Sequence, residues 1–184
     1  METARLLIRH MKEADEQTFI RGIADQTLRT AYGFPAEMDD TVPPQIFHHF
    51  CGLKNAFALV EKNCGEMTGF LLDTDPELPE STRSGLPENG HTLAFAIFPA
   101  FQRKGYMEEA MRAYIPYLFN SAGADYIHCG HFTENVPSRE LLHKLGFREY
   151  SKHALKDRII VDEIRFRCAH KFTENSSYVH ISHL

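Results

Sequence analysis

The sequence predicts a single α/β domain, and three observations support this. The chain has 184 residues, which suits one domain that buries about 70% of the surface its unfolded form would expose. Short apolar runs typical of strands are interspersed with segments in which apolar residues recur at helical spacing. Apolar residues make up 43% and charged residues 24%, close to globular averages, which argues against disorder or a fibrous repeat.

The first third of the chain predicts a strand, two helices and a hairpin. Residues 4–8 alternate as a strand does, and apolar residues of the segment 14–24 share one helical face. The pair Pro43-Pro44 opens a second short helix. Residues 56–60 and 67–72 are β runs separated by a polar turn with glycine, which predicts an antiparallel hairpin.

The middle of the chain predicts a long loop, a central strand and a helix. Residues 73–90 are rich in Pro, Ser, Glu and Gly, so we expect a surface loop of the kind that often borders substrate sites. Residues 92–98 are almost continuously apolar, as in a strand covered on both faces. The helix that follows contains Pro116, which should kink or shorten it.

The last third predicts one helix between strands. Residues 126–132 form a strand, and residues 137–145 form a helix closed by Gly146. Two strands, 148–155 and 158–167, complete the order. We therefore expect one domain over residues 1–167 and a polar, His-rich tail over residues 168–184.

Composition excludes several classes of protein. No apolar run approaches the 18 or so residues that a membrane span needs, and the N-terminus has no features of a signal peptide, so we expect a cytoplasmic protein without a membrane partner. The net charge of −5, without a stripe of Lys or Arg, argues against nucleic acid as a partner.

Metal and disulfide chemistry are not expected. The four cysteines are widely scattered, without Cys-x-x-Cys spacing, which indicates reduced thiols. His128 and His131 lie close together in a predicted strand, but side chains three apart in a strand point to opposite faces. We therefore predict no metal site.

The connection from the central strand to the next helix has the parts of an anion site. Backbone amides of residues 102–107, uncrowded at Gly105, can point into one concavity at the positive end of the helix, which suits a pyrophosphate. Arg103 and Lys104 add positive charge. The pattern is neither the three-glycine dinucleotide fingerprint nor the Gly-Lys-Ser/Thr phosphate loop. A simple turn with one glycine is the alternative interpretation of this segment.

Two motifs resemble those of the GNAT superfamily of acyl-CoA N-acyltransferases. The family's loop pattern Gln/Arg-x-x-Gly-x-Gly/Ala appears as residues 102–107. The second signature, Asn-x-x-Ser-x-x-x-Leu-x-Lys-Leu-Gly-Phe, runs from Asn135 to Phe147 at matching spacing. The first residues also resemble the subgroup that includes the ribosomal-protein N-terminal acetyltransferases. The resemblance covers residues 2–166.

The resemblance implies a fold and a ligand. The fold would be a mixed, mostly antiparallel sheet flanked by helices, in which two parallel strands, residues 92–98 and 126–132, splay apart to bind acyl-CoA. Acetyl-CoA would be the cosubstrate, and no metal would be needed. The residues expected to bind it are Ile97, Phe98, Gln102, Arg103, Lys104, Gly105, Tyr106, Met107 and Asn135.

The chain departs from the family pattern at four positions. Met107 replaces a small residue, and Glu108 stands near the expected phosphates. Thr92 takes the place of a glutamate base that the subgroup often has, and Leu142 that of a tyrosine which protonates the leaving thiolate in other branches.

The resemblance implies direct attack of an amine on the thioester in a ternary complex. An amide near Ile97 or Phe98 would hold the developing oxyanion. Ser138 is our candidate donor to the departing thiolate, and the alternative is that Ser138 only caps its helix.

The amine must also lose a proton to a base before it attacks. His91 has a suitable ordinary pKa and lies at the entrance of the central strand, so it is our candidate. Glu149 and a chain of water molecules are rivals, and an inert, exposed His91 is a further alternative.

The expected activity is therefore transfer of an acetyl group from acetyl-CoA to a primary amine, which is either a protein N-terminus or a small molecule. A sensor of the same fold that binds acyl-CoA without turnover is the alternative, and a small α/β protein for another phosphorylated ligand is a third. A homodimer is left open.

Overall fold

The computed structural model describes residues 1–167, so the predicted tail from residue 168 lies outside the described residues. The strands are β1 Leu6–His10, β2 Ala56–Glu61, β3 Met67–Thr74, β4 Gly90–Ile97, β5 Tyr126–Phe132, β6 Arg148–Leu155 and β7 Arg158–Phe166. The helices are α1 Glu16–Ile23, α2 Gln26–Tyr32, α3 Val42–Gly52, α4 Glu80–Arg83, α5 Tyr106–Asn120 and α6 Val136–Lys144. None of the helices within residues 1–167 combines the length and apolar character that crossing a bilayer requires.

All seven strands form one sheet in the order β1-β2-β3-β4-β5-β7-β6. Neighbouring strands are antiparallel except β4 and β5, which are parallel. The predicted mixed, mostly antiparallel sheet with one parallel pair is therefore confirmed.

The sheet is covered by helices on both faces. On one face, α5 and α6 pack in a mostly aliphatic core with residues such as Leu93 and Ile127. On the other face, α1, α2 and α3 pack in an aromatic core around Phe19, Phe47 and Phe70. Both faces of the central strands are thereby removed from water, which explains their nearly continuous apolar sequence.

Helix α2 was not predicted. It is short, and Asp25 caps it by accepting a hydrogen bond from the amide of Leu28 at 2.8 Å. Gly33 ends it with a left-handed φ of 97°. These two residues are the start and stop signals of a helix, but only Leu28 between them is buried.

Pro116 was expected to kink or shorten α5, and the helix is not shortened. The helix continues through Pro116 to Asn120. Proline removes the amide that would bond the carbonyl of Arg112, and both residues are exposed, so water can reach that carbonyl. Leu118 and Phe119 are buried beyond the proline, so core packing holds the last turn in place.

Candidate active site

The parallel pair parts soon after it forms. Strands β4 and β5 are paired at Gly90 with Tyr126, at His91 with Ile127 and at Thr92 with His128. Beyond Thr92 each strand continues, to Ile97 and to Phe132, without further pairing between them. A gap therefore opens between the two strands, as the family resemblance implied.

Backbone groups of β4 face this gap. The amide of Phe98 donates to the carbonyl of Thr68 on the neighbouring β3, at 2.8 Å. Because successive amides of a strand point to opposite sides, the amide of Ile97 points away from β3 and toward β5. Of the two amides expected to hold an oxyanion, only that of Ile97 is available, since the amide of Phe98 is committed to β3.

A cavity of about 1010 Å³ passes through the gap. It reaches both faces of the sheet, because side chains from both layers line it. The wall on the α5 and α6 face includes Arg103, Met107, Ser138, Leu141 and Lys144. The wall on the opposite face includes Tyr32, Glu77, Thr92, His128, His153 and Asp162. Glu77 belongs to the loop that was expected to border a substrate site.

The start of α5 forms one end of this cavity. Gly105 caps the helix with a left-handed φ of 76°, a conformation that glycine adopts without strain. The amide of Glu109 makes the first intrahelical bond, to the Gly105 carbonyl at 3.0 Å. The amides of Tyr106, Met107 and Glu108 precede it, so they lie at the positive end of the helix.

The connection before α5 is tied to its surroundings. The Gln102 side chain donates to the carbonyl of Ile97 at 3.0 Å. Arg5 donates to the carbonyl of Lys104 at 2.8 Å, and Lys104 itself lies over the ring of Phe101. Gln102, Arg103 and Gly105 line the cavity, whereas Lys104 does not. The loop is therefore fixed in place at both ends.

Glu108 does not leave an unbalanced negative charge beside this site. Its two carboxylate oxygens accept from Arg112 at 2.9 Å and from Lys144 at 2.6 Å. Hydrogen bonds from Lys144 and then Arg112 lower the pKa of Glu108. The side chain of Met107 is buried in the core beneath the loop. Neither departure from the family pattern closes the cavity.

The first turn of α6 carries Ser138. The helix cap is Asn135, whose side chain accepts from the amide of Ser138 at 3.2 Å and donates to the carbonyl of Ala31 at 3.2 Å. Ser138 is therefore not the cap. Its hydroxyl has no hydrogen-bond partner within the described part of the chain, and the residue lines the cavity. Leu142, one turn later, is fully buried.

His91 points away from the cavity. Its Nδ1 lies 2.6 Å from Asp73, which also accepts a hydrogen bond from Tyr114 of α5 at 2.8 Å. Asp73 was expected in a surface loop, but β3 extends to Thr74 and buries it. The rival base Glu149 is exposed and pairs with Lys152 at 3.0 Å. Neither residue lines the cavity.

Sequence reasoning missed the polar cluster that does line the cavity at the point where the strands part. His128 lies between Thr92, at 2.9 Å, and Asp162, at 3.1 Å. Asp162 also accepts from Ser151 at 2.7 Å and contacts Nδ1 of His153 at 2.9 Å. His128 and His131 face opposite sides of β5, as predicted. Their carboxylate partners are Asp162 and Glu163 of β7, which are adjacent residues and therefore also point to opposite faces of the sheet.

The available signal for this cluster was weak. Asp162 is a charged residue inside a run of apolar residues in a predicted strand, and such residues are rarely buried without a partner. The partner could not be chosen from the sequence, because it depends on the register between β5 and β7.

Parted parallel strands beside a helix start with free amides are the arrangement that the family resemblance implies for an acyl-CoA site. A family model described as an acetyltransferase (GNAT) domain matches residues 5–148. The chain belongs to the GNAT acetyltransferase family, and the predicted resemblance is confirmed. This family transfers acyl groups and generally uses acetyl-CoA as the donor.

Solved structures share the fold at low sequence identity. A GNAT-family acetyltransferase from Bacillus anthracis is 17% identical with a TM-score of 0.77, and the match covers 91% of this chain and 98% of that one. A putative GNAT-family acetyltransferase from Bordetella pertussis is 21% identical with a TM-score of 0.72, over 90% and 98% of the two chains.

A third solved structure belongs to the subgroup that the N-terminal residues resemble. The ribosomal-protein-S5-alanine acetyltransferase from Vibrio fischeri is 16% identical with a TM-score of 0.69, over 91% of this chain and 96% of that one. A search of the curated proteins found no match.

Proposed function

We propose that the chain transfers an acetyl group from acetyl-CoA to a primary amine, by direct attack in a ternary complex. The observation that carries the proposal is the cavity through the parted strands, which is open to both faces of the sheet. An acyl donor on the α5 face and an amine on the α2 face could meet within it.

The residues of the α5 face fit acetyl-CoA. The amides of Tyr106, Met107 and Glu108 would bind the pyrophosphate at the helix start, and Arg103 and Lys144 would add positive charge. The unpaired backbone of β4 would bind the pantetheine arm as an added strand does. The thioester supplies an activated acyl group to this site.

Two groups of the chain are our candidates for assisting the transfer. The Ile97 amide is our candidate for the oxyanion, since it faces the gap. Ser138 is our candidate donor to the leaving thiolate, because its hydroxyl lacks a partner among the described residues and Asn135 performs the capping. His91 is no longer our candidate base, because its side chain contacts Asp73 on β3 and does not line the cavity.

The acceptor is either a protein N-terminus or a small-molecule amine, and the reaction would take place in the cytoplasm. The wall on the α2 face carries Asp162 and Glu77, whose negative charge favours a cationic amine. Sedimentation velocity would measure the oligomeric state and so distinguish a monomer from a homodimer.

The first test combines ligand binding with turnover. Acetyl-CoA and CoA at about 100 times the dissociation constant should each add about 2.7 kcal/mol to stability, a shift of about 5–10 °C in Tm, whereas NADH should add nothing. CoA release is then measured with N-terminal peptides and small amines. Ser138→Ala should keep acetyl-CoA binding and lower turnover.

The outcomes separate the alternatives. No Tm shift with either CoA species would contradict the proposal and favour a site for another phosphorylated ligand. A shift without CoA release from any amine would favour the acyl-CoA sensor.

A further inference from the structure

A buried chain of hydrogen bonds begins where β4 and β5 part. Thr92 and His128 are the last paired residues of the two strands, and both line the cavity. The amide of Glu77 donates to Thr92 Oγ1 at 3.0 Å, and Thr92 Oγ1 lies 2.9 Å from His128 Nδ1. His128 Nε2 lies 3.1 Å from Asp162 Oδ1. The chain thus connects Thr92, at the gap, to the Asp162 carboxylate, which also borders the cavity and is not exposed to bulk solvent.

The positions of the protons in this chain follow from what each group can accept. Burial acts to raise the pKa of Asp162, but hydrogen bonds from His128, Ser151 and His153 outweigh it and hold the pKa below its ordinary value. An ionised carboxylate only accepts, so His128 carries a proton on Nε2. In the neutral imidazole Nδ1 is then an acceptor, and the Thr92 hydroxyl donates to it.

Thr92 is left with one open position. A hydroxyl oxygen has two lone pairs, and the amide of Glu77 occupies one of them. The second is available to a donor in the cavity. A substrate ammonium is such a donor, and it must lose a proton before it can attack a thioester.

We propose that Thr92, His128 and Asp162 form a proton relay that deprotonates the acceptor amine, an inference that rests on the proposed acetyl transfer. An N–H bond of the ammonium breaks and its proton binds Thr92 Oγ1. The hydroxyl proton of Thr92 passes to His128 Nδ1, and the resulting imidazolium is stabilised by the Asp162 carboxylate. The neutral amine then attacks, and its second proton goes to the departing thiolate. After product release the imidazolium returns its proton to cavity water through Thr92.

This relay takes the place of the glutamate that the resembled subgroup often has at the position of Thr92. Threonine cannot accept a proton on its own at neutral pH, but a hydrogen-bonded imidazole can take its proton as it forms the new bond. Only Thr92 touches the substrate in this scheme. His128 acts through Thr92, and Asp162 holds His128 in the required tautomer.

The competing base is His153. Its Nδ1 donates to Asp162, so its Nε2 lone pair is open, and the residue lines the cavity. It lies on the edge strand β6, two strands from the gap, whereas Thr92 and His128 lie at the gap itself. The other titratable groups on this wall are Asp162, Glu77 and Tyr32, which belong to β7, to the loop after β3 and to α2.

The test replaces the hydroxyl without changing the shape of the side chain. In Thr92→Val, kcat at pH 7 should fall by about 100-fold, the lower range for loss of a general base. The rise of kcat with pH through the range in which an imidazole loses its proton should disappear. Thr92→Ser should recover most of the rate lost in Thr92→Val and restore this pH dependence. The dissociation constant for acetyl-CoA should be unchanged in both variants.

A matched control is available in the same sheet. Thr68 is also a buried strand threonine, and its hydroxyl donates to the carbonyl of Leu59 at 3.0 Å, away from the cavity. Thr68→Val should lower stability without changing kcat or its pH dependence. Any general effect of removing a buried hydroxyl is thereby separated from the loss of the relay.

A second measurement does not depend on turnover. In ¹⁵N NMR of the free protein, His128 should show a proton on Nε2 and a hydrogen-bonded Nδ1, and Thr92→Val should shift the Nδ1 signal alone. A His128 protonated on Nδ1 would overturn the relay.

The kinetic outcomes distinguish the relay from the proposed function. If the protein turns over and Thr92→Val retains the normal rate and pH dependence, the relay is wrong and the acetyl transfer stands. If His153→Gln, rather than Thr92→Val, removes the pH dependence, His153 is the base. If the unaltered protein binds acetyl-CoA but acetylates no amine, both proposals fail.

Discussion

Asp162 shows how one buried residue links the stability of the protein to its site. It is fully buried and is surrounded by three donors from the two neighbouring strands β5 and β6. Because its folded-state pKa is lowered, the ionised carboxylate stabilises the fold above the ordinary pKa of about 3.9. This contribution is lost as the pH falls through the folded-state pKa.

We expect Asp162→Asn to lower the free energy of unfolding by about 3 kcal/mol at pH 7, because it removes the charge that these donors face. The difference between the two proteins should begin to shrink below about pH 4, where Asp162 of the unfolded chain is protonated, and should be lost as the pH falls through the lower folded-state pKa. Urea unfolding at several pH values measures both effects.

Asp157→Asn is the control, since Asp157 is exposed in the turn between β6 and β7. It should leave stability nearly unchanged over the same pH range. A difference for Asp162→Asn that does not vary with pH would contradict the assignment of a lowered pKa.

At the residue scale, the sequence predicted the phosphate side of the site better than the acceptor side. Gly105, Gln102 and Ser138 carry motif positions at fixed local spacing, so their placement beside the cavity could be anticipated. The sequence could not show in the same way which of His91 and His128 lies at the cavity. A strand side chain changes face with every residue, and His128 meets Asp162 only through the pairing of strands 34 residues apart.

Among the elements, the connection into α5 has the clearest requirement for glycine. Gly105 and Gly65 have similar left-handed φ values, 76° and 72°, but only Gly105 lies at the cavity. A Cβ on Gly105 would meet only Arg5, at 3.6 Å, and one on Gly65 would meet nothing within 4 Å. Steric conflict is therefore small at both positions, so the cost of replacing either glycine by alanine comes mainly from backbone strain.

We expect Gly105→Ala and Gly65→Ala each to lower the free energy of unfolding by about 1 kcal/mol, because both place a Cβ in the left-handed region. Only Gly105→Ala should also weaken acetyl-CoA binding, by about 5-fold or more, since relief of the strain turns the amides at the helix start. Chemical denaturation and calorimetric titration give the two quantities.

Equal acetyl-CoA affinity in the two variants would mean that the amides at the start of α5 do not bind the phosphates. Gly65→Ala controls for weaker binding that results only from lower stability, because Gly65 has a similar left-handed backbone in the turn between β2 and β3.

Most elements were predictable because their local patterns agree with the tertiary structure. Strand β5 has the predicted bounds, and β6 does as well. Helix α2 was missed because it has only seven residues and one buried apolar side chain, so no hydrophobic period marks it. Helix α5 is not shortened at Pro116, because a helix can accept proline on an exposed face when the rest of its turn is anchored in the core.

For the whole molecule, two sequence motifs were enough to predict the fold, but the cavity was not predictable from them. Its size and its second wall depend on how far β4 and β5 separate and on where α2, β6 and β7 stand opposite α5 and α6. These are relations among segments that are distant in the chain, and no single segment encodes them.

A cavity with walls on both faces of the sheet also has a kinetic consequence. The donor and the acceptor would approach from opposite faces, so one could dissociate while the other stays bound. We therefore expect intersecting lines in initial-rate plots against the two substrates, with CoA competing against acetyl-CoA and not against the amine. Parallel lines would indicate that one product leaves before the second substrate binds, and so would require an acylated intermediate of the protein itself.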